Sequence, residues 1–364
     1  MNMRFILSVM ILVFIFSEKI FPQFYLGTSF ENYYDDNIFN NYTRVSDFVN
    51  NLSGEAGYDF ETARNNFELY YSGNYNYYNT NITKTSSSHK FGIVETYLFA
   101  DDDNPLNIGA NYGFRSNREE FSVYDYGQFS AYANYMHSIS EADKLQGGLI
   151  FNKIDFKNYS LFSYNEYKFF VKSIFSFETG TSLIIGAELD HKQYSEKLND
   201  PEMAETVTQS KFLLQSGQSL TDELGVSAYL LYRKNLKSGN RFFNVDDFVY
   251  YEEEIFNDVY SNEGYETGLS ITYLISQTVT GKVEGRYQVG NYLNLPAATA
   301  DGTELNYNRK DKLYAIGSAL QINLNSFISG MNLYLNYNIL LNESNDYFYD
   351  YSNQLFSFGL GWDL

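Results

Sequence analysis

Apolar and polar residues alternate with a period of two, in stretches of about ten residues, over most of this chain. That period puts successive side chains on opposite faces and is the signature of a β-strand rather than a helix. The last segment shows it best: Phe356, Phe358, Leu360, Trp362 and Leu364 share one face, and Ser357, Gly359, Gly361 and Asp363 the other. Upstream, Leu333, Leu335, Tyr337, Ile339 and Leu341 oppose Asn332, Tyr334, Asn336, Asn338 and Asn342. Asparagine is a poor strand former, so its repetition on one face makes sense where that face meets water and the opposite one meets an apolar medium. Similar strands are read around Phe67–Tyr77, Leu106–Phe114, Tyr167–Phe177, Leu183–Leu189 and Leu269–Tyr273. Phe91–Ala100 and Leu145–Phe156 carry apolar residues on both faces, which predicts a bulge or a partly filled interior there.

The connections are patterned too. Short turns rich in Asp, Asn, Gly, Ser and Thr are read at Glu61–Asn65, Asp101–Pro105, Ser140–Lys144, Thr179–Ser182, Thr221–Glu223, Ser276–Thr278 and Asn325–Gly330. They alternate with longer polar connections near Asp35–Arg44, Thr80–Ser88, Ser116–Phe121, Ser160–Asn165, Glu196–Thr206, Ser238–Ser261, Leu293–Lys310 and Asn342–Asp350. Seven short and eight longer connections imply about 16 strands, defended to within two (14–18), with both chain ends on the short-turn side.

Composition narrows the classes. Of 364 residues, 44% are hydrophobic and 19% charged, which excludes general disorder, and four prolines leave little room for linkers. With no cysteine, disulfide scaffolds, thiol nucleophiles and thiolate metal sites are excluded. A net charge of -20 without a basic cluster opposes nucleic-acid binding. Arg4 followed by the apolar run Phe5–Phe16 reads as an export signal, shorter than the roughly 20 apolar residues of a membrane helix. Residues 1–23 are expected to be removed and 24–364 to form a single domain. No later stretch is apolar enough for a spanning helix.

These features converge on an all-β transmembrane antiparallel up-and-down barrel. In hydrocarbon an open strand edge leaves amide groups unpaired, so strands cross a bilayer only as a closed barrel. A soluble β-sandwich or solenoid is the alternative; the alternating connection lengths and the Asn/Ser/Gly-rich second face weigh against it. The exported N-terminus, the alternation and the aromatic last strand make the mature chain resemble Gram-negative outer-membrane β-barrel proteins of the porin type. The segment Tyr33-Tyr34-Asp35-Asp36-Asn37-Ile38-Phe39, followed by Asp47-Phe48 and Leu52-Ser53-Gly54, is similar to the opening of the second β-barrel porin family. The resemblance implies an outer-membrane location, lipid and the barrel-assembly machinery as partners, and Phe356, Phe358, Leu360, Trp362 and Leu364 as the assembly signal. Ending on Leu364 departs from the usual aromatic last residue.

About 16 strands leave an aqueous bore, so the expected function is passive diffusion of small polar solutes, with inward charges setting selectivity. By register the inward cations are Arg115, Lys168, Lys172, Lys192, Arg233, Lys282 and Arg286, and the inward anions Glu68, Glu178, Glu188, Asp190, Glu266 and Glu284. The signs nearly cancel. Lys282-x-Glu284-x-Arg286 is the sharpest constellation, readable as a selectivity element or as a stiffening ladder of ion pairs. Asp246, Asp247, Glu252, Glu253, Glu254, Asp258 and Glu263 crowd the longest connection without the ligand spacing of a calcium loop, so no metal and no cofactor is expected.

Two other functional classes compete with this reading. Some outer-membrane barrels are lipases or proteases, which need a histidine beside a nucleophile and a carboxyl partner. Of His89, His137 and His191, the last adjoins Asp190, but adjacent strand residues point to opposite faces, so no catalytic residue is assigned. A non-channel role in surface binding, adhesion or polymer export rests on loop aromatics such as Tyr250, Tyr251, Phe256, Tyr260, Tyr347, Phe348 and Tyr349, which equally suit aromatic belts at a lipid boundary.

Overall fold

A computed structural model describes residues 24–99, 104–196, 205–238 and 262–363. Residues 1–23 with the expected export signal, Leu364, and the acidic stretch 239–261 with its aromatics Tyr250, Tyr251, Phe256 and Tyr260 lie outside the described residues. Strands β1 (Phe24–Asp35), β2 (Asp47–Glu61), β3 (Asn65–Tyr78), β4 (Ser86–Leu98), β5 (Pro105–Asn117), β6 (Tyr126–Ser138), β7 (Asp143–Phe156) and β8 (Tyr164–Phe177) form one half of a sheet. The other half is β9 (Thr181–Tyr194), β10 (Thr206–Ser219), β11 (Leu224–Lys237), β12 (Asn262–Ser276), β13 (Val279–Ala298), β14 (Glu304–Asn323), β15 (Met331–Ser344) and β16 (Tyr351–Asp363). Every strand pairs antiparallel with its sequence neighbours, and β1 pairs with β16 from Gly27↔Asp363 to Asp35↔Leu355, closing a 16-strand barrel. Closure satisfies both strand edges.

The two faces follow the alternation. Phe91 (52% exposed), Leu149 (60%) and Ile316 (61%) typify the convex face, an arrangement that water penalises and lipid does not. The concave face is identified by contacts between strands two apart, which meet only on the inside of a curved sheet: the Tyr25 hydroxyl on β1 donates to Glu68 Oε1 on β3 at 2.6 Å, and Gln209 Nε2 on β10 donates to the Asn262 carbonyl on β12 at 3.0 Å.

Six of the short turns lie where the sequence places them and share one rim; Asp101–Asp103 of the seventh lie outside the described residues. At Gly180 and Gly330 the backbone takes φ of 74° and 77°, which only glycine adopts without strain. Two expectations are corrected. β4 and β7 pair in unbroken register, so the apolar residues on both their faces signal no bulge. Register shifts fall at Thr208/Gln209, Leu274/Ser276 and around Pro296 instead. The expected long loop Leu293–Lys310 is mostly strand: β13 and β14 each run for 20 residues, joined by a turn in which Thr299 N–H donates to the Thr303 carbonyl. This extension is held from inside. Fully buried Arg309 lies between the rings of Tyr292 (4.2 Å) and Tyr349 (3.1 Å) and donates from Nε to Asp311 at 3.0 Å.

Candidate functional site: the barrel interior

The interior has two contrasting walls. From β16 round to β6 the lining is small and hydroxylated: Ser29, Ser53, Ser72, Asn74, Ser88 and Gln128 border a recess of about 640 Å³ that also meets Glu55 and Lys90. Ser29 and Ser53 hydroxyls are 2.5 Å apart, and Asn51 donates to Asn76 at 2.7 Å, so neighbouring strands are tied by polar side chains without filling the bore. The alternation also turns Glu31 and Glu55 inward on the same wall as Glu68; among the described residues none of the three belongs to an ion pair.

Between β8 and β13 the wall is dense with paired charge. Lys168 Nζ lies 3.4 Å from Glu166, Lys211 Nζ 2.8 Å from Glu188 and 2.5 Å from Asp190, Arg233 Nη2 2.9 Å from Glu266, and Lys282 Nζ 2.6 Å from Glu284. Lys172 lies over the Phe170 ring at 5.2 Å, and Lys192 over Tyr164 at 3.9 Å. Arg286, with Lys282, Glu284, Ser270 and Asn338, lines a recess of about 530 Å³. The Lys282-x-Glu284-x-Arg286 constellation is thus split, its first two members paired with each other and the third in no ion pair among the described residues. Arg115 sits near the loop rim, its Nε donating to Asn117 at 3.1 Å.

Register places Arg115, Lys168, Lys172, Lys192, Arg233, Lys282, Arg286, Glu68, Glu188, Asp190, Glu266 and Glu284 on the concave face. Glu178 is the exception. It lies beyond the end of β8 in an exposed turn, because the strand stops at Phe177. Lys211, Glu31 and Glu55 were missed, although the same period of two marks all three.

Lumenal tyrosines recur in one arrangement. Tyr25, Tyr70, Tyr132 and Tyr229 lie over Gly57, Gly92, Gly109 and Gly268 of the adjoining strand, where any side chain would collide with the ring. The glycine fixes the ring flat against the wall and aims the hydroxyl: Tyr25 donates to Glu68, and Tyr229 to Glu266 at 2.6 Å.

The loop rim is narrowed by segments 36–46, 79–85 and 118–125. Ile38, Phe39, Phe121 and Tyr124 form a small buried core. Lys84, 6% exposed, is ringed by Phe39 (5.0 Å), Tyr78 (5.6 Å) and Phe121 (5.8 Å), a cation held on aromatic faces. Sequence reasoning missed this cap because its members are separated in the chain and each reads singly as loop or belt.

All three histidines point outward. His89 Nδ1 is 2.9 Å from the Tyr71 hydroxyl, His137 stacks on Tyr135, and His191 Nδ1 is 2.9 Å from Thr208 Oγ1, whereas Asp190 meets Lys211 on the opposite face. Among the described residues no cluster of His, Asp and Glu could hold a metal.

No family model matches this chain, and no curated protein matches it. Solved structures do. The outer membrane protein opdK from Pseudomonas aeruginosa superposes with a TM-score of 0.53 at 13% identity, over 95% of this chain and 100% of that one. OccD3 (OpdP) of the same organism gives 0.52 at 11%, over 94% and 91%, and OccAB4 of Acinetobacter baumannii gives 0.51 at 10%, over 94% and 98%. At this identity the likeness is one of fold.

Proposed function

We propose that the chain is a porin-like channel in the outer membrane of a Gram-negative bacterium, passing small polar solutes by passive diffusion. The observation that carries this reading is the closed 16-strand cylinder, apolar outside and lined inside by hydroxyls, amides and paired charges. An apolar exterior of this kind is stable in lipid, and a bore of this strand number holds water. The likeness in fold to outer-membrane proteins supports the same location. On this reading Arg115, Lys168, Lys172, Glu188, Asp190, Arg233, Lys282, Glu284 and Arg286 line the path, and the short turns face the periplasm.

Residues 1–23 are proposed as the removed export segment. Phe356 (53% exposed) and Phe358 (38%), with Leu360 and Trp362 on the same face, are proposed as the signal for the barrel-assembly machinery. Leu364, the fifth residue of that signal, lies outside the described residues.

Single-channel recording of refolded residues 24–364 in a planar bilayer tests the reading. Stable steps of nanosiemens order are expected. A folded barrel that conducts nothing refutes it and moves a closed binding barrel, with the loop cap as its lid, to the front.

A further inference from the structure

The outward face of β4–β7 carries a groove of about 630 Å³. Its floor is Ala110, Ala131 and Ala133; Ile93 and Phe67 rise on one side, Leu149, Phe151 and Tyr167 on the other. Adjacent pairings Ile93↔Ala110↔Ala131↔Phe151 and Ile108↔Ala133↔Leu149 explain it: two rows of the lipid face drop from branched or aromatic residues to alanine and rise again. A trough of this width and polarity fits a hydrocarbon chain.

One end of the groove is charged. Glu95 is among its lining residues, directly opposite Phe67 and Ile108, three residues before the end of β4 and so roughly 10 Å along the strand from the short-turn rim. Just beyond it lies an aromatic belt: Tyr97 packs edge-on against Phe99 at 5.0 Å, and Phe99 against Tyr135 at 5.7 Å. Other outward charges among the described strand residues lie toward the loop rim, as with Lys153, Lys234 and Lys312, or at the start of β7, as with Asp143. Several of those are compensated, Lys153 by Asp155 at 2.9 Å and Lys234 by Glu263 at 2.8 Å. Glu95 belongs to no ion pair among the described residues. A carboxylate on the lipid face, one step inside the belt, costs free energy unless a cation reaches it.

We propose that this groove binds a phospholipid of the periplasmic leaflet with an ethanolamine headgroup, one acyl chain lying along Ala110, Ala131 and Ala133 and the headgroup ammonium on Glu95. Charge decides the class, because an anionic headgroup would be repelled by Glu95. The proposal rests on the outer-membrane reading above for the side on which the short turns lie, but not on conduction.

Native mass spectrometry tests it on folded residues 24–364 released from micelles holding equal phosphatidylethanolamine and phosphatidylglycerol with matched chains. The wild type is expected to retain the ethanolamine lipid several-fold over the glycerol lipid. Glu95→Gln abolishes that preference while lipid is still bound, and Ala131→Phe/Ala133→Phe lowers retention of both. Heat-modifiable gel mobility verifies folding of each variant. Equal retention by the wild type, or an unchanged preference in Glu95→Gln, overturns the proposal. So does an oligomer lost in the double variant with lipid retention unchanged, which would make the groove a contact between copies. Conductance of the wild type separates the two readings: a wild-type barrel that conducts but shows no headgroup preference fails here alone.

Discussion

The β1–β3 wall and the β11–β12 wall use the same three residue types and reach different electrostatic ends. On the first, Tyr25 lies over Gly57 and donates to Glu68; on the second, Tyr229 lies over Gly268 and donates to Glu266. Glu266 also takes Arg233 Nη2 at 2.9 Å, both side chains about nine-tenths buried, whereas Glu68 stands with Glu31 and Glu55 on a wall without ion pairs to them. The repeated tyrosine and glycine are therefore wall-building, and the arginine is what differs. A near balance of inward charges counted along the chain conceals this segregation: cations on the far side are largely neutralised where they stand, and carboxylates on the near side are not.

The largest expected effect comes from the same substitution made on each wall. Glu266→Gln leaves Arg233 largely buried without its counter-charge and is expected to cost about 3 kcal/mol, the range for breaking a buried pair. Glu68→Gln keeps an acceptor for the Tyr25 hydroxyl and removes no ion pair, so its cost is expected below about 1 kcal/mol. Urea unfolding in vesicles, followed by the fluorescence of Trp362, the single tryptophan, gives both values. Equal losses would mean that the guanidinium contributes nothing to the second wall.

Conduction is expected to show a smaller contrast. With the near wall's carboxylates unpaired, the bore should favour cations, and Glu31→Gln/Glu55→Gln/Glu68→Gln should lower the cation-to-anion permeability ratio about two-fold or more. Lys282→Gln/Glu284→Gln removes a pair of opposite charges and should leave the ratio where it was. Reversal potentials in a salt gradient decide. If the paired variant moves the ratio as far as the triple one, segregation is not what sets selectivity.

How much of this was legible beforehand depends on how far apart in the chain the partners lie. Alternation at Leu183–Leu189 or Leu333–Leu341 is a local property, and so are the turn signals at Thr62–Asn65 and Gly180; strand number and facing followed from them. Glu31 and Glu55 are equally readable by parity. The extension of β13 and β14 was not readable. Leu293–Lys310 contains Pro296 and no clean alternation, and what holds it is Arg309 between Tyr292 and a tyrosine from the β15–β16 connection, Tyr349. Ion pairs such as Lys211 with Glu188 join residues on different strands, so residue types mark the candidates while only the register shows which charges are neutralised.

The cap at the loop rim tests whether that narrowing belongs with the walls or stands apart from them. It is built from three connections around one buried cation, with Phe39 and Phe121 stacked at 6.1 Å beside Lys84. Among the described residues its core joins the β1–β2, β3–β4 and β5–β6 connections. Lys84→Met keeps the length of the side chain and removes the charge, so the attraction of an ammonium to the ring faces, about 1 kcal/mol, is among what is lost, with partial compensation by apolar packing. The barrel's hydrogen-bonded strands are untouched by that loss. Hydrogen exchange is therefore expected to quicken in 36–46, 79–85 and 118–125 while urea unfolding of the barrel stays within about 0.5 kcal/mol of wild type. Exchange that quickens equally in β8–β12 would show that the cap and the charged wall open together, and the division of the interior into independent regions would fail.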